Sequence, residues 1–346
     1  MRHALIAIAL AILAFGTGCQ RKPSDVVDPA KLKVFEPLPV VVAASYGTPN
    51  EELIALGRML YYDPRLSKSQ QISCNTCHDL NKYGVDNEPT SEGHKGQKGD
   101  RNSPTVYNAA AQFAQFWDGR APDVEEQAKG PVMNPVEMAM PSDKLVIALL
   151  KSIPEYVDAF RRAFPKDKDP VNLDNMARAI GAFERRLLTP ARWDKFLKGD
   201  AQALTSAEKA GLNVFLEAGC QTCHLGALLG GTMFQKLGLM KPYPDQSDPG
   251  RYRVTKNEAD RMVFKVPALR NVEKTAPYFH NGKVATLEQA VQEMADYQLG
   301  KTLSRKETEA IITFLKSLTG EIPFDYIKQP ELPKSTARTP KPDLSD

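Results

Sequence analysis

Two pentapeptides of the chain combine two thiols and an imidazole at a fixed spacing. They are CNTCH at Cys74–His78 and CQTCH at Cys220–His224. In a C-x-x-C-H motif the cysteines form thioether bonds to the vinyl groups of a c-type haem, and the adjacent histidine ligates the iron. The motifs therefore predict two covalently attached c-type haems, held by Cys74, Cys77 and His78 and by Cys220, Cys223 and His224.

The cysteine count supports this assignment. Of the five cysteines, four lie in the two motifs, and only Cys19 remains. No pair is left for a disulfide outside the motifs. A thioredoxin-like redox site or a zinc site built from the four cysteines is weaker, because neither explains the histidine that closes both motifs.

The first nineteen residues resemble an export signal. Arg2 and His3 precede an apolar run from residue 4 to residue 15, and the small residues of GTGC follow. Cleavage before Cys19 with acylation would give a periplasmic protein tethered by a lipid anchor. Simple cleavage nearby would give a soluble periplasmic protein, and Gly16, where leucine is usual, disfavours acylation. Both alternatives stay open.

Composition limits the classes of function. The 346 residues are 42% hydrophobic and 25% charged, as in soluble globular proteins with room for two domains. A formal net charge of +3 is too small to indicate binding to nucleic acid. No stretch after residue 19 is long and apolar enough to span a bilayer.

Helical periodicity and capping patterns dominate the chain, and no segment alternates convincingly as a strand, so we expect a mostly α fold. Capping boxes are predicted at Thr48–Glu51, Thr205–Glu208, Thr286–Gln289 and Ser304–Glu307. The predicted organisation is an export signal at 1–19, an N-terminal arm or tether at 20–46, a first haem domain at 47–198, a second haem domain at 199–321, and an irregular tail at 322–346.

A weak internal repeat follows the two motifs. Pro104, Asn108 and Gly119 recur with the same spacings as Pro267, Asn271 and Gly282, and Trp117 then matches His280. This pattern predicts two cytochrome-c-like haem domains related by internal duplication.

The two irons should differ in their second axial ligand. Continuing the repeat places Met294, on a predicted helix, opposite Val132 of the first domain. Methionine is a common axial ligand of c-type haems. Three other methionines of the second domain, Met233, Met240 and Met262, are rivals, and His280 could compete as well, but spacing and helix placement favour Met294.

The first domain has His94 instead, in the loop SEGHKGQKGDRN. Such a glycine-rich polar loop has few apolar anchors and is expected to be mobile. A ligand on a mobile loop can leave the iron. The sequence thus suggests one haem with a removable ligand, which reacts, and one with fixed ligands, which supplies electrons.

The chain resembles the bacterial dihaem cytochrome c peroxidases over residues 50–325. The matching stretches include SCNTCHDL, GVDNEPTSEGHKGQKGDRNSPTVYNA, AQFWDGRAPDVEEQAKGPV, SIPEYVDAF, GCQTCH and TAPYFHNG. The resemblance implies an enzyme that reduces hydrogen peroxide at the N-terminal haem with electrons entering at the C-terminal haem. It implies that His94 is the displaceable ligand, that Trp117 lies between the haems, that Gln127 and Glu137 line the peroxide pocket, and that Met294 is the fixed ligand.

The same resemblance implies a calcium ion between the domains, held by Asn102 and by the carbonyls of Thr275 and Pro277. It also implies a homodimer that takes electrons from a small cytochrome c or a cupredoxin. Relatives that modify protein tryptophans place tyrosine at the position of Met294, which disfavours that branch. The alternative is a dihaem electron-transfer or sensor cytochrome with little peroxidase turnover, against which the glycine-rich setting of His94 argues.

Overall fold

The computed structural model describes residues 24–345, so the predicted export signal and Cys19 lie outside the described residues. The fold is mostly helical, as predicted. Its α-helices are α1 Pro29–Leu32, α2 Glu51–Tyr62, α3 Cys74–Cys77, α4 Val124–Met133, α5 Asp143–Lys151, α6 Pro154–Ala163, α7 Leu173–Glu184, α8 Arg192–Leu197, α9 Ser206–Ala218, α10 Tyr252–Thr255, α11 Leu287–Glu293, α12 Arg305–Lys316 and α13 Phe324–Ile327. None of the helices in the described part of the chain is long and apolar enough to cross a membrane.

Short irregular elements connect these helices. A π-helix, Met294–Gln298, continues α11. Strands β1 Phe234–Lys236 and β2 Val263–Lys265 form one antiparallel pair in which Phe234 lies opposite Lys265. These strands could not be predicted from the sequence, because three residues are too few to show alternation. Short 3-10 helices occupy Pro64–Leu66, Leu80–Lys82, His94–Gly96, Ala109–Ala111, Cys220–Thr222, Glu258–Asp260 and Val272–Lys274.

Helix capping follows the sequence in three of the four predicted places. Thr205–Glu208 and Ser304–Glu307 form the predicted capping boxes. At Thr286 only half of the predicted box forms, because its hydroxyl accepts the Gln289 N–H while Gln289 Nε2 donates to Glu293. The box predicted at Thr48 is wrong. Asn50 has an extended backbone and its side chain accepts the Leu53 N–H at 2.8 Å, so α2 begins at Glu51.

Each motif packs against a hydrophobic core of its own. In the first, α2 packs on α7; in the second, α9 packs on α12. Each helix pair crosses at a glycine, Gly57 on Ala179 and Gly211 on Ala310, where a Cβ atom would collide with a carbonyl oxygen. The helix that leads into each motif is thereby held against a second large helix of the same core.

Matched positions of the repeat share backbone conformations. Asn108 and Asn271 are both left-handed, with φ of 61° and 62°, and their side chains donate to the same Thr189 hydroxyl at 2.8 and 2.9 Å. Phe116 and Phe279 are left-handed as well, with φ of 65° and 67°. Such conformations are uncommon for non-glycine residues, so their recurrence supports the predicted duplication.

The C-terminal tail runs back over the first core. After α13 it continues without regular structure, and the Thr336 hydroxyl donates to the carbonyl of Ser152. The Ser345 carbonyl at its end accepts from Lys68 Nζ at 2.8 Å. The predicted domain boundary at residue 198 stays a prediction; Ala191 and Trp193 pack with the second core.

Candidate haem sites

Both motifs form short helical turns that bring their thiols and imidazole together. The backbone N–H of His78 donates to Cys74 O at 3.0 Å, and that of His224 donates to Cys220 O at 3.0 Å. The four thiols are unpaired and partly buried. Each turn thus presents two free thiols and one imidazole to the same cavity.

The orientation of each histidine is fixed by a carbonyl oxygen. His78 Nδ1 lies 3.3 Å from Gly84 O, and His224 Nδ1 lies 3.0 Å from Leu229 O. A hydrogen bond at Nδ1 leaves Nε2 for a metal. Burial lowers the pKa of both histidines, so both imidazoles are neutral, which is the form that ligates iron. This donor set fits a c-type haem at each motif.

The first cavity contains acid–base groups beside its motif. It has a volume of about 560 Å³ and is lined by Cys74, Cys77 and His78 together with Gln127 and Glu137. Gln127 enters from α4, and Glu137 from the loop that follows α4. Burial raises the pKa of Glu137, and Asn134 Nδ2 donates to its Oε1 at 2.8 Å. The structure therefore brings the two predicted peroxide-pocket residues to the first motif.

His94 does not line this cavity. Its backbone N–H donates to the carbonyl of Glu137 at 2.8 Å, while its Nε2 lies 3.4 Å from Ser345 O in the C-terminal tail. The side chain is buried, and its Nδ1 has no hydrogen-bond partner among the described residues. The loop carrying His94 is thus docked on the backbone of Glu137, with the imidazole directed at the tail.

The second cavity contains a thioether. It measures about 240 Å³ and is lined by Cys220, Cys223, His224 and Met294. Met294 is the first residue of the π-helix, an irregularity common at functional sites. None of the three rival methionines lines this cavity, and Met240 is 62% exposed.

Trp117 lines both cavities. Its Nε1–H donates to Asn102 O at 2.9 Å, and its ring meets the His280 ring edge-on at 6.5 Å. Asn102, Thr275 and Pro277, the residues predicted to bind calcium, all line the second cavity. In residues 24–345 no group of three or more His, Cys, Asp or Glu side chains is arranged to hold a metal ion.

Two buried charged residues were missed by the sequence analysis. Glu184 on α7 lines the first cavity, and burial together with the charge of Glu125 raises its pKa to about 8. Lys265 on β2 lines the second cavity. Glu184 lies one helical turn after Ile180, on the apolar face of α7. A carboxylate on an apolar face was therefore the sequence signal that could have identified Glu184 as a buried charged residue. Lys265 gave no such signal, because its strand is too short to show a face.

Comparison with known proteins agrees with this geometry. Residues 51–202 match the sequence model of the family described as di-haem cytochrome c peroxidase. The cytochrome c551 peroxidase of Pseudomonas aeruginosa is 48% identical over 98% of both chains. This chain belongs to the di-haem cytochrome c peroxidase family. The cytochrome c551 peroxidase of Nitrosomonas europaea is 49% identical over 84% of this chain and 86% of that protein.

The family assignment confirms the predictions of two haems and of a cytochrome-c peroxidase. Among solved structures, a MauG-like protein associated with microbial copper homeostasis superposes with a TM-score of 0.73 at 27% identity, covering 85% of this chain and 95% of that one. The diheme peroxidase BthA from Burkholderia thailandensis, at 19% identity and a TM-score of 0.67 over 89% of this chain and 98% of that one, shares the fold.

Proposed function

We propose that this di-haem peroxidase reduces hydrogen peroxide to water at its first cavity and receives electrons at its second. The observation that carries this assignment is the difference between the cavities. Glu137 and Gln127 lie at the first motif with His94 outside, whereas Met294 lies at the second. A cavity with acid–base groups, in which the motif histidine is the only histidine, is suited to the reaction with peroxide. A cavity that offers a thioether ligand is suited to electron transfer.

Glu137 is the proposed proton carrier. A bound haem supplies the redox-active iron at this site. Reduction of one peroxide to two waters takes two electrons and two protons, and one proton already on the peroxide must move from one oxygen to the other. The Glu137 carboxylate accepts that proton and returns it to the departing oxygen, while Asn134 holds the carboxylate in place. Gln127, an amide with both donor and acceptor atoms, orients the peroxide.

His94 is the proposed gate. In the position described, His94 is held outside by the Glu137 carbonyl and by the tail, yet its buried Nδ1 is unpaired. An unsatisfied buried polar atom costs about 1–3 kcal/mol, so this position is not strongly favoured over another. We propose that in the fully oxidised protein the loop would carry His94 into the first cavity, where its imidazole could ligate the iron of a bound haem, and that reduction of the second site would favour the outside position.

Trp117 is the proposed electron relay, since it lines both cavities and is anchored by the Asn102 carbonyl. We expect Trp117→Ala to slow peroxide turnover with a reduced donor while both haems remain attached. Stopped-flow spectroscopy of electron transfer from the second haem to the first is the measurement. Trp193→Phe, which alters the other tryptophan, buried in the second core, is the control. If electron transfer from the second haem to the first is as fast in the Trp117 variant as in wild type, Trp117 only contributes to packing.

Met294 is the proposed second ligand of the C-terminal haem. We expect Met294→His to lower the reduction potential of that haem markedly, because thioether ligation raises the potential relative to imidazole. The measurement is a spectroelectrochemical titration of each haem. Met240→His, at an exposed residue outside the cavity, should leave the potential unchanged. The same potential before and after substitution at Met294 would assign the ligand to another residue.

A calcium ion is proposed between the two domains, with Asn102 and the carbonyls of Thr275 and Pro277 as ligands. Oxygen atoms of this kind are the ligands that calcium prefers. Asn102 donates its amide N–H to the carbonyls of Glu88 and Pro89, which directs the amide nitrogen toward those carbonyls and leaves Oδ1 as an acceptor.

The setting of the enzyme is proposed from its N-terminal signal and its family. The export signal implies a periplasmic protein, either free or tethered at Cys19. A homodimer and a donor that is a small cytochrome c or a cupredoxin complete the proposal. Two of the relatives are named cytochrome c551 peroxidases, which makes a small c-type cytochrome the first donor to try.

Peroxide-dependent oxidation of a reduced small cytochrome tests the proposed function. Purified holoprotein should oxidise two equivalents of donor per peroxide, after the second haem has been reduced. Turnover absent from a protein that carries both haems would favour the alternative, an electron-transfer or sensor cytochrome.

A further inference from the structure

Lys265 is a buried cation in the wall of the second cavity. Its relative exposure is 6%, and its ammonium group contacts the side-chain oxygen of Gln112, which lines the same cavity. No carboxylate among the described residues forms an ion pair with it. A neutral amide is a poor substitute for a counter-ion at a buried site.

The position of this cation is fixed by the backbone. Lys265 is the last residue of β2, opposite Phe234, and its N–H donates to the carbonyl of Trp117 at 2.7 Å. The backbone of Lys265 is therefore held beside Trp117, which lines both cavities, and its ammonium group is held by Gln112. Burial lowers the pKa of Lys265 to about 7, so the side chain loses part of its charge at neutral pH unless an anion accompanies it.

The repeat shows that this cation distinguishes the two domains. Lys265 stands two residues before Pro267, and Asn102 stands two residues before Pro104. Their backbone contacts are reciprocal: Asn102 N–H donates to His280 O at 2.8 Å, as Lys265 N–H donates to Trp117 O. Since Trp117 and His280 are themselves matched, the two residues occupy equivalent places. The second domain has a lysine where the first has a neutral amide.

We propose that Lys265 binds a propionate carboxylate of the second haem, with Gln112 as its neutral partner, and thereby raises the reduction potential of that haem. The propionates are the only anionic groups that a c-type haem brings into this otherwise apolar cavity. A fixed cation favours the reduced state of a nearby iron, because reduction adds a negative charge. The inference rests on the proposed function for its use, since a raised potential makes the second haem the site that is reduced first.

The test is a spectroelectrochemical titration of holoprotein variants without peroxide or donor. In Lys265→Met we expect the equilibrium constant for reduction of the second haem to fall about tenfold, equivalent to 59 mV for a one-electron couple. The potential of the first haem should not move. Lys265→Arg keeps the charge and should restore most of the potential. Lys236→Met removes an exposed charge from the wall of the same cavity. Because solvent screens this charge, the equilibrium constant for reduction of the second haem should change less than about twofold.

A second readout separates charge from packing. Without its cation, a buried propionate should take up a proton when the haem is reduced, so the potential of Lys265→Met should depend more steeply on pH than that of wild type. If the Met variant does not retain its second haem, Lys265→Gln is measured instead. An unchanged potential and pH dependence in a variant with both haems attached would overturn the proposal. Because neither readout requires turnover, a protein without peroxidase activity would refute the proposed function and leave the role of Lys265 intact.

Discussion

Replacement of Glu137 by Gln is expected to slow the peroxide step by about 10²–10⁴, the range that general acid–base assistance supplies. Glutamine preserves the shape of the side chain and can still contact Asn134, but it cannot accept and return a proton. The loss should appear in the rate constant for the reaction with peroxide, measured by stopped-flow after the second haem has been reduced. The absorption spectra of both haems should stay as in wild type.

The control for this variant is Glu126→Gln. Glu126 lies on α4 next to Gln127, but its side chain is exposed and pairs with Lys129 at the surface. It should react with peroxide as wild type does. Wild-type peroxide kinetics in Glu137→Gln would exclude Glu137 as the proton carrier.

The pH dependence provides an independent check on the same residue. Glu137 accepts a proton only as the carboxylate, and burial raises its pKa. The rate of the peroxide step should therefore decrease as the pH is lowered, and the decrease should be centred above the ordinary pKa of glutamate. This limb should disappear in Glu137→Gln. A limb that persists in the variant belongs to another group, and Glu184, whose pKa is raised to about 8, would be the first candidate.

The sequence was most informative where chemistry is written into adjacent residues. The motifs Cys74–His78 and Cys220–His224 each form one local turn. Their spacing alone therefore predicts that two thiols and one imidazole lie together at one site. Met294 could also be selected, because the repeat compares the two domains position by position. Capping patterns predicted the starts of α9, α11 and α12 for the same reason: each depends on residues within one turn.

Features that depend on distant parts of the chain could not be found in this way. Lys265 is buried because β2 pairs with β1 and hydrogen-bonds to Trp117, contacts that join residues far apart in sequence. The position of His94 depends on the tail, since its imidazole faces Ser345. A glycine-rich loop indicates that His94 can move, but it does not specify which of its positions is occupied. Only tertiary contacts decide that.

Removal of the proposed gate should change which redox state reacts. We expect fully oxidised His94→Gly to react with peroxide without prior reduction, at about the rate of half-reduced wild type. Minor states of such equilibria are commonly populated at about 0.1–10%. If the open form of oxidised wild type has a population in this range, deletion of the ligand raises the rate of the reaction with peroxide about 10- to 1000-fold. The Glu137 carbonyl accepts a backbone N–H from residue 94, so a glycine there keeps the hydrogen bond that docks the loop.

The measurement is stopped-flow mixing of peroxide with protein oxidised beforehand, together with the absorption spectrum of the first haem. The control is Lys98→Ala, on the same loop, because its exposed pair with Glu92 contributes little and its side chain is not a haem ligand. Lys98→Ala should stay slow when oxidised and become fast after reduction of the second haem. The gate is refuted if oxidised wild type already shows an open first haem and reacts as fast as the half-reduced form. In that case the position of His94 against the Ser345 carbonyl would be its permanent one, and Glu137 would act in a cavity that is open in both redox states.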